Sequence, residues 1–138
     1  YNCTQAVVGA FADVIGMDFD TAVRFSSGFG GGMGRLREVC GTFSGAVIVV
    51  NALYGYSDPK NVQAKAELYS RIQELAAQFR RDNGSIICKE LLGLSRPEGS
   101  PIPEARTDEY YKKRPCPELC RYSANMLEEY IREHPPVK

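Results

Sequence analysis

Apolar residues recur along this chain mostly at intervals of three and four, the spacing that lays side chains on one face of an α-helix. Val7, Val8, Phe11, Val14 and Ile15 form the first set. Asn2 stands at the cap position before them, Gln5 three residues on completes a capping box, and Gly16 is the stop. Asp18 or Asp20 starts a second helix that ends near Gly28. From about Arg35 the pattern is helical again, with Val39, Phe43, Val47, Val50 and Tyr54 on one face. Ile48, Val49 and Leu53 are apolar too, so this helix is apolar nearly all round and reads as the buried central one. The run Val47-Ile48-Val49 would also suit a strand, but helix is the preferred assignment.

Asp58-Pro59 marks the next start, with proline at the first helical position. Val62, Ala66, Tyr69, Ile72, Ala76 and Phe79 follow at helical spacing, and Asn83-Gly84 ends the run. Ser85 caps a short helix through Leu92. Residues 95–107, SRPEGSPIPEART, carry three prolines and a glycine and read as a loop. Pro117 opens a last helix with Leu119, Tyr122, Ala124, Met126, Leu127, Tyr130 and Ile131 as its apolar residues, before Pro135-Pro136. The pattern predicts an all-α fold: one compact domain over residues 1–138, with about five to six helices around a buried central one.

Composition narrows the function. A chain of 138 residues can bury a core without staples. Seventeen basic residues balance seventeen acidic ones, so no net field draws the protein to nucleic acid or to an anionic membrane. The longest apolar run, Ala46 to Val50, is too short to span a bilayer, so no membrane insertion is expected. The chain begins at Tyr1 rather than Met, and processing or truncation is the expected reason; the compartment stays open, with the cytoplasm favoured.

The stretch Gly28 to Ala46, GFGGGMGRLREVCGTFSGA, packs five glycines into seven residues. A Walker loop needs glycines five apart followed by lysine, but here Met33 and Arg35 occupy those places. GxGxxG fails from Gly28, Gly30 and Gly32 alike, and the element before the loop reads as helix where a dinucleotide fold needs a strand. The backbone N–H groups have the makings of an anion nest. The simpler reading is that these glycines supply left-handed dihedrals or let another segment pass close by. Gly41 and Gly45, with Ser44 and Ala46, likewise read first as a surface for close helix packing.

Cys3, Cys40, Cys88, Cys116 and Cys120 are odd in number and widely spaced, which suits metal or redox chemistry better than a disulfide scaffold. There is no CxxC, and without CxxCH covalent haem attachment is not supported. Cys3 follows the cap Asn2, Cys88 lies three residues after Ser85, and Cys116 precedes Pro117 at the cap of the final helix. Cys40 lies early in the central helix. Helix N-termini favour thiolates, the form that binds metal or attacks a disulfide. Arg35, Arg37 and Arg114 lie near these sulfurs in sequence. Cys120, one turn after Cys116, reads as a core thiol, with a second-ligand or resolving role as the alternative. The lone His134 beside two prolines reads as solvated, and with a single terminal histidine no Ser-His-Asp or Cys-His pairing can be argued.

The ordered set NCTQAVVGAF (2–11), GFGGGMGR (28–35), CGTFSG (40–45), ICKELLG (87–93) and RPCPEL (114–119) resembles the redox-active family named for its C-GCAxxG-C-C cysteine pattern. Val39 precedes Cys40 where the family name writes glycine, Gly41 follows it, and Thr42 stands where alanine is usual. The resemblance carries the family's four cysteines onto Cys3, Cys40, Cys88 and Cys116, and its motif glycines onto Gly41 and Gly45. A similar helical domain occurs in split-Soret cytochromes c, associated there with an iron–sulfur cluster separate from the haem. The resemblance therefore implies an all-thiolate 2Fe–2S site without haem, surrounded by Gly30, Gly31, Gly32, Arg35 and Gly41. It implies an electron-transfer or redox-sensing role with an unnamed redox partner protein. Two alternatives stay open: thiol–disulfide exchange by the same cysteines, and a helical binding module with inert cysteines, for which a homodimer contact would suit the small-residue face. No substrate or enzymatic reaction is implied.

Overall fold

A computed structural model of the chain describes residues 1–93 and 115–136. It is all-α, and no strand occurs among the described residues. Helix α1 (Cys3–Ala10) begins where the capping box places it: Asn2 accepts from the Gln5 N–H, and the Gln5 side chain accepts from the Asn2 N–H, both at 3.0 Å. The chain then turns until Gly16, so the helix is shorter than its apolar pattern, and Val14 is exposed. Helix α2 (Phe19–Phe25) is capped by Asp18, whose carboxylate accepts from the Thr21 N–H at 2.9 Å. A short 3-10 turn (Ser27–Phe29) leads into the glycine turn Gly30–Met33.

Helix α3 (Gly41–Tyr54) is the central element, and Phe43, Ala46, Val49 and Val50 are buried along it. Helix α4 (Val62–Asn83) ends at Gly84, whose φ of 95° lies in the left-handed region that glycine tolerates. Helices α5 (Cys88–Leu91) and α6 (Cys116–Glu133) complete the set among the described residues. The core joins Val7 and Phe11 of α1 to α3, to Leu75, Ala76 and Phe79 of α4, and to Leu119, Met126, Leu127 and Tyr130 of α6. Phe79 has no exposed surface and meets Phe43 and Tyr122 edge to face, with centroids 5.6 and 5.5 Å away. The small residues of α3 let α1 close in. A Cβ on Gly41 would lie 2.7 Å from Thr4 Oγ1, and one on Gly45 would lie 2.9 Å from Val7 Cβ.

Several expectations need correction. Arg35 to Val39 is not the start of the central helix: Arg35 and Arg37 have φ of 66° and 60°, and Val39 pairs in an antiparallel bridge with Ile87. Asn61, rather than Asp58-Pro59, caps α4, accepting from the Ala64 N–H at 3.0 Å. Val62, Ala66 and Tyr69 are exposed there, and Leu68 and Leu75 take the buried positions. The helix expected from Ser85 begins at Cys88, because the Ser85 hydroxyl instead accepts from the Ile87 N–H. His134 is half-buried rather than solvated: its ring stacks on Tyr130 at 4.2 Å and its carbonyl accepts from the Tyr54 hydroxyl. The proline-rich stretch 95–107 and Arg114 lie outside the described residues.

Candidate functional site

Each of the four sulfurs named above sits at the start of a helix. Cys3, Cys88 and Cys116 are the first residues of α1, α5 and α6, and Cys40 is the N-cap of α3. The chain brings these starts together by two devices. The Thr4 hydroxyl donates to the Gly41 carbonyl at 2.9 Å in the core, locking the first turn of α1 to that of α3. The Cys40 N–H donates to the Ile86 carbonyl, the Cys88 N–H to the Glu38 carbonyl and the Lys89 N–H to the Arg37 carbonyl. That short pairing around Val39 and Ile87 sets Cys40 and Cys88 side by side.

All four cysteines line one cavity of about 280 Å³. The glycine turn forms another wall, so Gly30, Gly31, Gly32, Arg35 and Gly41, expected around the site, all face this space. Gly31 and Gly32 have φ of 67° and 69°. A Cβ on Gly32 would fall 2.7 Å from Cys88 Cβ, 2.7 Å from the Glu38 nitrogen and 2.8 Å from the Arg37 Cα, so only glycine fits where the turn crosses the bridge. The phosphate-loop reading failed on spacing, and the structure assigns these glycines the close approach expected of them.

Sequence reasoning noted Arg37 only as a neighbour, yet it is a wall residue. It is 5% exposed, its backbone is left-handed, and Nη1 lies 3.7 Å from Cys88 Sγ. The signal available was an arginine three residues before a cysteine, too common a spacing to single out. Asn2, Leu91, Leu92 and Leu119 also line the cavity and were not anticipated there. Cys120 does not line it. Its thiol donates to the Cys3 carbonyl at 3.9 Å and lies in contact with the Cys3 thiol.

The helix ends do not make Cys3 and Cys40 acidic. At Cys3 the hydrogen bond with Cys116 favours the thiolate. It is outweighed by the hydrogen bond with Cys120, by burial and by the charges of Cys120 and Cys40, and the thiol is pushed up to about 12. Burial raises Cys40 as well, against the Thr42 hydroxyl 3.1 Å from its sulfur and the N–H groups of Thr42 and Phe43, and the neighbouring charge of Cys88 adds to the rise. Sulfurs crowded this closely resist ionising together unless a cation joins them. None of the five cysteines is joined in a disulfide. Among the described residues, no three His, Cys, Asp or Glu side chains gather closely enough to hold a single metal ion. Cys3 instead meets Cys116 and Cys120 by hydrogen bond and lies near enough to Cys40 to feel its charge, and Cys40 neighbours Cys88 across the bridge.

Among the described residues no helix is long and apolar enough to cross a membrane. No curated protein and no solved structure matches the chain. A family model does match, over residues 1–130, and its description reads "Putative redox-active protein (C_GCAxxG_C_C)". With nearly the whole chain covered and its four cysteines on one cavity, this protein belongs to the C_GCAxxG_C_C redox-active family.

Proposed function

We propose that the protein is an electron-transfer or redox-sensing protein whose Cys3, Cys40, Cys88 and Cys116 ligate a 2Fe–2S cluster. The observation that carries this reading is the shared cavity: four cysteines from four separate helix starts line it. The donor set suits the group in type and number, since such a cluster takes four thiolates. A dinuclear core takes two cysteines at each iron and needs no trio around one ion. Among the described residues no carboxylate or imidazole lines the cavity, while Arg35 and Arg37 do. Two guanidiniums complement the net negative charge of a thiolate-bound cluster.

When bound, the cluster would accept and return a single electron. The chain's own residues do the rest. Cys40 and Cys88 are held by the bridge at Val39 and Ile87, and Cys3 by the Asn2 cap and the Thr4 bond. Leu91, Leu92 and Leu119 supply apolar wall to the cavity. Arg37 directs a positive charge at the Cys88 sulfur, a contact of the kind that tunes a cluster's potential. A redox partner protein would supply and remove the electron.

The test is anaerobic reconstitution with iron and sulfide. The reading predicts a brown protein carrying iron and sulfide in equal amounts. Colourless protein free of iron after that treatment would refute it.

A further inference from the structure

Cys120 is the one sulfur that the proposed cluster leaves unused, and it lies against one of the four that it uses. It sits on α6 one turn beyond Cys116, half-buried, outside the cavity wall. Its thiol meets Cys3 twice, at the carbonyl 3.9 Å away and at the thiol itself. Cys3 is half-buried too, as the first residue of α1, so neither residue is sealed in the core.

We infer that Cys3 and Cys120 form a second redox site, a dithiol that closes to a disulfide by reducing hydrogen peroxide. The chemistry balances in two steps. One thiol attacks the peroxide oxygen, breaking the O–O bond, and becomes a sulfenic acid while water leaves. The second thiol then attacks that sulfur, the S–S bond forms and a second water leaves. Two electrons pass from the two sulfurs to the peroxide, and both thiol protons end in water. Closure withdraws Cys3 from the cavity, so the same residue links this site to the four-cysteine set. The inference concerns the metal-free protein, because Cys3 bound to iron has no thiol to offer Cys120.

The experiment uses the full chain, fully reduced and stripped of metal without oxygen, then titrated with hydrogen peroxide and mapped by mass spectrometry. Trypsin alone leaves Cys116 and Cys120 on one peptide, so a second cleavage after Glu118 is needed to separate them. The expected result is loss of two of the five thiols, with the peptide holding Cys3 joined to the one holding Cys120. Cys120→Ser should abolish that product while leaving the helical circular dichroism unchanged. A dominant link from Cys3 to Cys116 or from Cys40 to Cys88 would overturn the assignment. So would oxidation of Cys3 to sulfinic acid with Cys120 still alkylatable, or the absence of any disulfide. The wild-type map decides the matter even if the variant folds poorly, and none of these outcomes bears on iron binding.

Discussion

Gly32→Ala is the perturbation that this architecture resists most sharply. The residue has a φ of 69°, and an added Cβ would stand 2.7 Å from both Cys88 Cβ and the Glu38 nitrogen. Left-handed backbone costs an L-residue about 1–2 kcal/mol, and an overpacked methyl in a close contact adds about 1–3 kcal/mol. The Glu38 nitrogen cannot swing aside, because it donates to the Gly32 carbonyl at 3.0 Å. A total of about 3 kcal/mol follows, or a fall in Tm of about 10 °C for a chain of this size. Two controls separate the causes. Gly34 has a φ of 55° with open space around its Cβ position, so Gly34→Ala carries the strain alone, about 1–2 kcal/mol. Gly28 has neither problem, so Gly28→Ala should be neutral or stabilising by up to about 1 kcal/mol. Urea denaturation of the three variants should order them Gly32, Gly34, Gly28 from most to least destabilised. If Gly32→Ala costs no more than Gly34→Ala, the turn does not pack against the cysteine bridge as described.

Other outcomes follow from named contacts. Asn2→Ala removes the α1 cap and the bond from Nδ2 to the Ser27 carbonyl, and should cost about 1–2 kcal/mol by denaturant titration. Asn61→Ala should cost about 1 kcal/mol by the same assay, whereas Pro59→Ala should stay within about 0.5 kcal/mol, since Asn61 alone caps α4. The pH dependence has a definite sign. Cys3 ionises near 9 when unfolded and near 12 when folded, so between these values the folded protein holds more protons. Its contribution is intact below about 9 and lost as pH rises toward about 12. Reduced, chelator-treated protein should therefore lose stability across that window, and Cys3→Ser should flatten the slope.

The elements written in local chemistry were legible in the sequence. The Asn2–Gln5 box, the Gly84 stop and the apolar face of α6 depend on residues within a few positions of each other, and all three stand where the pattern puts them. The helix starts at Cys3 and Cys116 were legible for the same reason, whereas those beside Cys40 and at Cys88 were placed too early. The segment from Arg35 to Val39 was not legible. Its extended end is held by Ile87, far along the chain, and its left-handed residues are arginines, which carry no glycine signal. The spacing Val62, Ala66, Tyr69 matched a helix face but the wrong one, because the partner helices lie on the side of Leu68 and Leu75. Convergence of the cysteines likewise rests on long-range contacts, the Thr4–Gly41 bond and the bridge, that no local pattern encodes.

The most direct test is iron bound per chain after anaerobic reconstitution of five single Cys→Ser variants. The account predicts that substitution at Cys3, Cys40, Cys88 or Cys116 lowers iron and the visible absorption severely, while Cys120→Ser keeps both. Retention of full iron by any one of the first four, or its loss in Cys120→Ser, would contradict the shared four-cysteine site.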